Sequence, residues 1–198
     1  MECKDRFTLE VLAEKYGTDK LQHGYIPFYV KNLPEKPKRI LEIGVKEGRS
    51  LAMWAEYFPD AEIRGLDLFA EISANDVMKN VFDLYPPIIS RAVLHTGNQC
   101  DYLSLEQLRK LDFDVIIDDG SHNSRDQLIT FFGLFNGKHY FIEDLHCNYE
   151  EFYSQGMPVG LTARTVFNDL KIIYDGYSEE KTRITFNPGD KIVCIAPF

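Results

Sequence analysis

Along the chain, short apolar runs of strand length alternate with stretches whose apolar residues recur at helical spacing. That alternation predicts parallel strands joined by helices. Strands are expected at Arg39–Ile43, Glu62–Asp67, Ile88–His95, Phe113–Asp118 and His139–Glu143. Several are apolar throughout, as befits strands covered on both faces. Helices are expected between them, over roughly Ser50–Tyr57, Asn75–Tyr85, Leu103–Lys110 and Ser124–Phe135.

The rhythm then changes. A helix over Thr162–Asp175 precedes two strand-like runs, Thr182–Phe186 and Lys191–Ala196. Asn187-Pro188-Gly189-Asp190 between them is a strong turn signal. The expected fold is Rossmann-like α/β: a seven-stranded, mostly parallel sheet with helices on both faces and a C-terminal antiparallel hairpin. Residues 1–37 are helical in pattern and read as a segment apart, either a lid or a docking arm. Residues 38–198 form the sheet domain.

Composition narrows the partners. A length of 198 residues suits one domain, and 44% hydrophobic residues supply a core. The net charge of −9, without a basic run, argues against nucleic acid and anionic membrane surfaces. MECKDRFTLE is charged where a signal peptide would be apolar, and no apolar run reaches the ~18 residues of a membrane span. Cys3, Cys100, Cys147 and Cys194 are scattered, which reads as reduced thiols in a cytoplasmic protein.

Three places carry chemistry. LEIGVKEGRS follows the first strand and opens a helix. It lacks the middle glycine of a dinucleotide loop and the Gly-Lys-Ser/Thr of a P-loop. Glu42, just before Gly44, could pair with a cationic group; equally, the loop could be a tight turn without a ligand. Asp67 ends strand two ~20 residues later, placed for ribose hydroxyls or as a helix cap. His95–Gln99 follows strand three and could read an adenine edge, or be an ordinary loop. The densest signal is Asp118-Asp119-Gly120-Ser121-His122 after an apolar run, matched by Glu143, Asp144 and His146 after the next. Neighbouring parallel strands lie ~4.8 Å apart, so Asp119, Glu143 and Asp144 could converge. Carboxylates that close call for a bridging cation, and hard oxygen ligands favour Mg, Mn or Ca over zinc. The alternative is a solvated cap cluster that binds nothing. His122 could act as a general base or be a surface histidine.

With KYGTDK, HGY, LEIGVKEGRSL, the Asp67 strand, GNQCD, DDGSH and FIEDLH in this order, the chain resembles class I S-adenosylmethionine-dependent methyltransferases. More narrowly, it resembles the metal-dependent sugar O-methyltransferases of the macrocin and mycinamicin type. The resemblance implies a cofactor site made by Tyr16, Thr18, Glu42, Gly44, Ser50, Asp67, Asn98, Gln99 and Asp118. It implies a magnesium (or manganese) site made by Asp119, Glu143 and Asp144, with His122 as the base. Gly17 and Asp19 would join Tyr16 and Thr18 in a segment closing over cofactor or substrate. The acceptor would be a small hydroxyl-bearing molecule, a sugar or similar polyol, and a homo-oligomer is compatible. The same motifs resemble a cephalosporin hydroxylase with a related metal site; a non-catalytic cofactor-binding module is the third reading. Phe28, Tyr29, Tyr149, Phe152 and Tyr153 could line an acceptor pocket or pack as core, and are assigned no role.

Overall fold

A computed structural model describes residues 6–176 and 182–197; Cys3 lies outside them. The N-terminal segment holds helices α1 (Arg6–Tyr16) and α2 (Ile26–Asn32). The sheet domain runs β1 (Arg39–Ile43), α3 (Arg49–Tyr57), β2 (Glu62–Asp67), α4 (Ala74–Leu84) and β3 (Ala92–Thr96). It continues α5 (Tyr102–Arg109), β4 (Val115–Asp118), α6 (Ser124–Leu134) and β5 (His139–Ile142). Helix α7 (Ala163–Gly176), β6 (Thr182–Phe186) and β7 (Val193–Pro197) complete it.

The strands form one seven-stranded sheet in the order β3-β2-β1-β4-β5-β7-β6. The first five are parallel; β7 pairs antiparallel with β5 and with β6. All four residues of β4 and the last four of β1 are buried, which explains why they are apolar apart from Glu42 and Asp118. Two apolar clusters cover the two faces. One joins Leu9, Ile26, Trp54 and Val77 to Ile40 and Val115. The other joins Leu105, Phe131 and Phe167 to Leu41 and Ile116. Helices thus lie on both faces, and the N-terminal segment is built into the first cluster.

One expected strand is corrected. Residues 88–91 do not extend β3 backwards: Pro86–Ser90 forms a 3-10 turn, and β3 starts at Ala92. Pro86 and Pro87 have no amide hydrogen for a ladder. Ile88 is buried while Ile89 is exposed, so the apolar pair imitates a strand start. Elsewhere the bounds shift by one or two residues. At the hairpin, the Asn187 side chain accepts from the amides of Lys191 and Ile192, at 2.8 and 3.0 Å, closing the turn.

Candidate active site at the strand tips

Strand order reverses between β1 and β4, which opens a crevice beyond their carboxyl ends. Gly44 sits at that point with φ +83°, and a Cβ there would lie 2.0 Å from the Asp119 carbonyl oxygen. The glycine therefore lets the first loop press against the fourth-strand loop. A cavity of about 610 Å³ occupies the crevice, within the range of small-molecule sites. Its walls include Gly17, Thr18 and Asp19, the 44–47 loop, Arg49, Ser50, Asp67, and Asp119, His122 and Asp144. A second hollow of about 270 Å³ shares Gly44, Asp67 and Gly120 with it and reaches Asn98, Gln99 and Asp126.

The backbone ladder continues past the strand ends. Asp119 donates its amide to Ile43, and Glu143 donates to Asp118, both at 2.9 Å. This pairing sets the acids of β4 and β5 side by side. His122 and Asp144 have positive φ, 58° and 56°, as do Lys46 and Phe69 on the same cavity wall. Non-glycine residues rarely adopt that region, and such strain gathers where geometry must be held for ligands. His122 lies in the loop before α6, whose cap is Asn123.

Ligand atoms of Asp119, His122 and Asp144 all lie within 4.8 Å of one another. The Asp119 and Asp144 carboxylates suit a hard divalent ion, and the adjoining His122 ring has a nitrogen, Nδ1, buried without a hydrogen-bond partner. The residues present therefore fit a metal. Glu143 is outside that group; its Oε1 accepts from Lys20 at 2.7 Å and from Tyr29. Tyr25 donates to Asp144. Nitrogens of His23, His122 and His146 lie 3.4, 3.5 and 3.7 Å from Asp144 oxygens.

Lys20 is the residue that sequence reasoning missed. It is 1% exposed, and its ammonium lies 2.7 Å from Asp119 and Glu143 and 3.2 Å from Glu42. Burial alone would push it toward neutrality, but Asp119, Glu143 and Glu42 together hold its pKa well above the ordinary value. Burial raises the pKa of Glu42 and, further, of Glu143, against the pull of Lys20. Burial also pushes Tyr29 and Tyr25 up, and they remain hydroxyl donors to the carboxylates. The sequence signal for Lys20 is its place as the last residue of KYGTDK.

The expected cofactor residues separate into cavity walls and interior braces. Thr18, Gly44, Ser50 and Asp67 line the main cavity. The Thr18 hydroxyl is buried and unpartnered, a polar atom available to a ligand. Asp67 accepts from the amides of Val45, Lys46 and Phe69 at 2.7–3.0 Å, so it ties down the loop as well as facing the cavity. Asn98 and Gln99 line the second hollow. The Asn98 side chain accepts from Cys100, and Gln99 is held by Asp118, Thr130 and the Ser121 amide. Glu42 and Asp118 are fully buried and neither lines the main cavity. Glu42 is engaged by Ser50 and Lys20. Burial raises Asp118 to about 7, and Gly120, Gln99 and Tyr140 hydrogen-bond to it. Tyr16 points away, donating to Glu56 on α3. Phe28 and Tyr29 are core, while Tyr149 and Phe152 are exposed and the Tyr153 ring lies 6.3 Å from that of His122.

The sheet order and the crevice define a class I methyltransferase-type Rossmann fold. Solved structures share it: a MycE methyltransferase from the mycinamycin pathway, in complex with Mg and SAH, superposes with TM-score 0.74 at 23% identity. That match covers 96% of this chain and 54% of the other. A putative caffeoyl-CoA O-methyltransferase from Staphylococcus aureus gives 0.57 at 17%, over 94% of this chain and 90% of that one.

The chain is a relative of sugar O-methyltransferases. It is 31% identical to the 8-demethyl-8-(2-methoxy-alpha-L-rhamnosyl)-tetracenomycin-C 3'-O-methyltransferase of Streptomyces olivaceus over 190 residues, 86% of this chain and 45% of that protein. It is 29% identical to the mycinamicin VI 2''-O-methyltransferase of Micromonospora griseorubida over 157 residues, 71% and 37% of the two chains. The chain thus spans less than half the length of these relatives. No protein-family model matches it.

Proposed function

We propose that the chain carries the catalytic site of an S-adenosylmethionine-dependent, divalent-metal-dependent O-methyltransferase that acts on a sugar hydroxyl of a small glycosylated molecule. The observation that carries this reading is the meeting of Asp119, His122 and Asp144 on the wall of the strand-tip cavity. The relatives' names supply the sugar and the methyl transfer. Cytoplasmic location belongs to the same proposal, on the cysteine pattern. Among the described residues no helix is long and apolar enough to cross a membrane.

When bound, S-adenosylmethionine would supply an already activated methyl group, and a divalent ion would supply Lewis acidity toward a hydroxyl oxygen. Asp119 and Asp144 would hold the ion, with Glu143 behind them, braced by Lys20 and Tyr29. Thr18, Gly44, Ser50 and Asp67 would bound the cofactor, and Asn98 and Gln99 would bound its base. His122 would take the acceptor proton. Its Nε2 lies 3.5 Å from an Asp144 oxygen, and the ring stands on the wall of the cavity that would hold the acceptor. Positioning of two reactants in one cavity is worth up to ~7–11 kcal/mol, and a general base adds ~10²–10⁴-fold.

The second reading is a metal-dependent hydroxylase on the same scaffold, but the convergent group holds one histidine and two carboxylates, where non-haem iron typically takes two histidines and one carboxylate. Product mass spectrometry separates the two. The chain is incubated with labelled S-adenosylmethionine, magnesium and a panel of rhamnosides and other glycosides. The expected result is a glycoside carrying the labelled methyl, lost on chelation with excess EDTA. Full transfer in EDTA would overturn the metal requirement; an oxygenated product from a parallel incubation with Fe²⁺, O₂ and a 2-oxo acid as co-reductant, with no methylated glycoside in the first, would overturn the methyl-transfer reading.

A further inference from the structure

Lys20 has no counterpart among the residues assigned so far. It reaches the strand tips from the N-terminal segment, 99 and 123 residues away in sequence from two of its partners. Its ammonium touches three carboxylates: Glu42 at the tip of β1, Asp119 beyond β4 and Glu143 beyond β5. Glu42 and Glu143 are sealed from solvent, whereas Asp119 is partly open to the cavity. The acidic basin thus has an inner part, closed and occupied by a cation that belongs to the chain. Its outer part, Asp119, His122 and Asp144, faces the cavity.

We infer that Lys20 is a positioning residue that acts as the resident cation of the inner basin, and so weakens and confines divalent-ion binding to the outer group. The inference rests on the proposed metal-dependent function. A fixed positive charge beside Asp119 opposes an incoming cation and competes for the same carboxylate. It also balances Glu42 and Glu143, which would otherwise add negative charge to the ion's surroundings. Lys20 is therefore a charge setter, and its removal should strengthen divalent binding while weakening the fold.

The test is titration of the full chain with Mn²⁺, followed by paramagnetic resonance of the free ion and by thermal unfolding with and without metal. The variants are Lys20→Met and the charge-compensated Lys20→Met/Glu42→Gln. The double variant loses one positive and one negative charge, and it keeps the chain foldable should the single variant fail. For folded Lys20→Met, at least a tenfold tighter Kd is expected, with a larger metal-induced rise in Tm than in the parent chain. For the double variant, Kd should return to within about threefold of the parent value. Equal or weaker Mn²⁺ binding by folded Lys20→Met overturns the inference. If only the double variant folds, a Kd more than about threefold from the parent value overturns it. The parent titration separates the two claims: binding there with no change on removing Lys20 sinks this inference alone, whereas no binding in the parent sinks the metal reading and the inference with it.

Discussion

His122 combines three properties that an ordinary loop residue lacks. It has a left-handed backbone, a ring nitrogen buried without a partner, and a carboxylate 3.5 Å from its other nitrogen. A surface histidine needs none of these. The role as base is separable from a role as ligand. His122→Ala should lower turnover by ~100-fold or more while Mn²⁺ affinity stays within a few fold. Turnover within a few fold of the parent would remove the base, and loss of Mn²⁺ binding would make His122 a ligand instead. The acids were legible because unpaired carboxylates at the end of an apolar run stand out. Their partners were not. Lys20, Tyr25 and Tyr29 meet them across a fold-dependent gap that no local spacing encodes, and Lys20 also pairs with Glu42.

Strands β1 and β2 were legible to the residue because strand-length runs around buried apolar residues, Ile40, Leu41 and Ile43 in one and Ile63 and Leu66 in the other, lie between helical patterns. β3 was not, because two isoleucines after a diproline imitate a strand start. The amino ends of the strands are held differently from the tips. Asp114, just before β4, accepts from the amides of Lys38 and Arg39 at 2.7 and 3.1 Å and from the Lys138 ammonium at 3.0 Å. It thereby ties β1 and β5 to β4. Burial works against ionisation there, but these donors outweigh it and lower the Asp114 pKa. A lowered folded-state pKa gives stability that is complete above the unfolded carboxylate value, about 4, and is lost as pH falls through the folded value. Asp114→Asn should cost about 1–2 kcal/mol at neutral pH in urea unfolding, and the loss should shrink as the pH falls below about 4. A pH-independent difference would show that the charge of Asp114 contributes nothing.

At the scale of the molecule, the N-terminal segment decides how the site is assembled. Sequence pattern left it as a lid or a docking arm. In the structure Leu9, Leu12 and Ala13 are buried in the cluster that covers one face of the sheet. The next stretch supplies Lys20, His23, Tyr25 and Tyr29 to the acids. We propose that it is a fixed wall of the site, packed with the sheet as one cooperative unit. Leu9→Ala should therefore lower global stability by about 2–4 kcal/mol in a single unfolding transition. A change below about 0.5 kcal/mol, or a separate early transition for this segment, would favour a detachable lid.

The most direct measurement is anomalous diffraction from crystals grown with Mn²⁺ and S-adenosylhomocysteine. The account predicts one manganese peak at about 2.0–2.6 Å from oxygens of Asp119 and Asp144, with the nucleoside in the cavity bounded by Gly44 and Asp67. Manganese bound away from these acids, or the nucleoside outside that cavity, would contradict it.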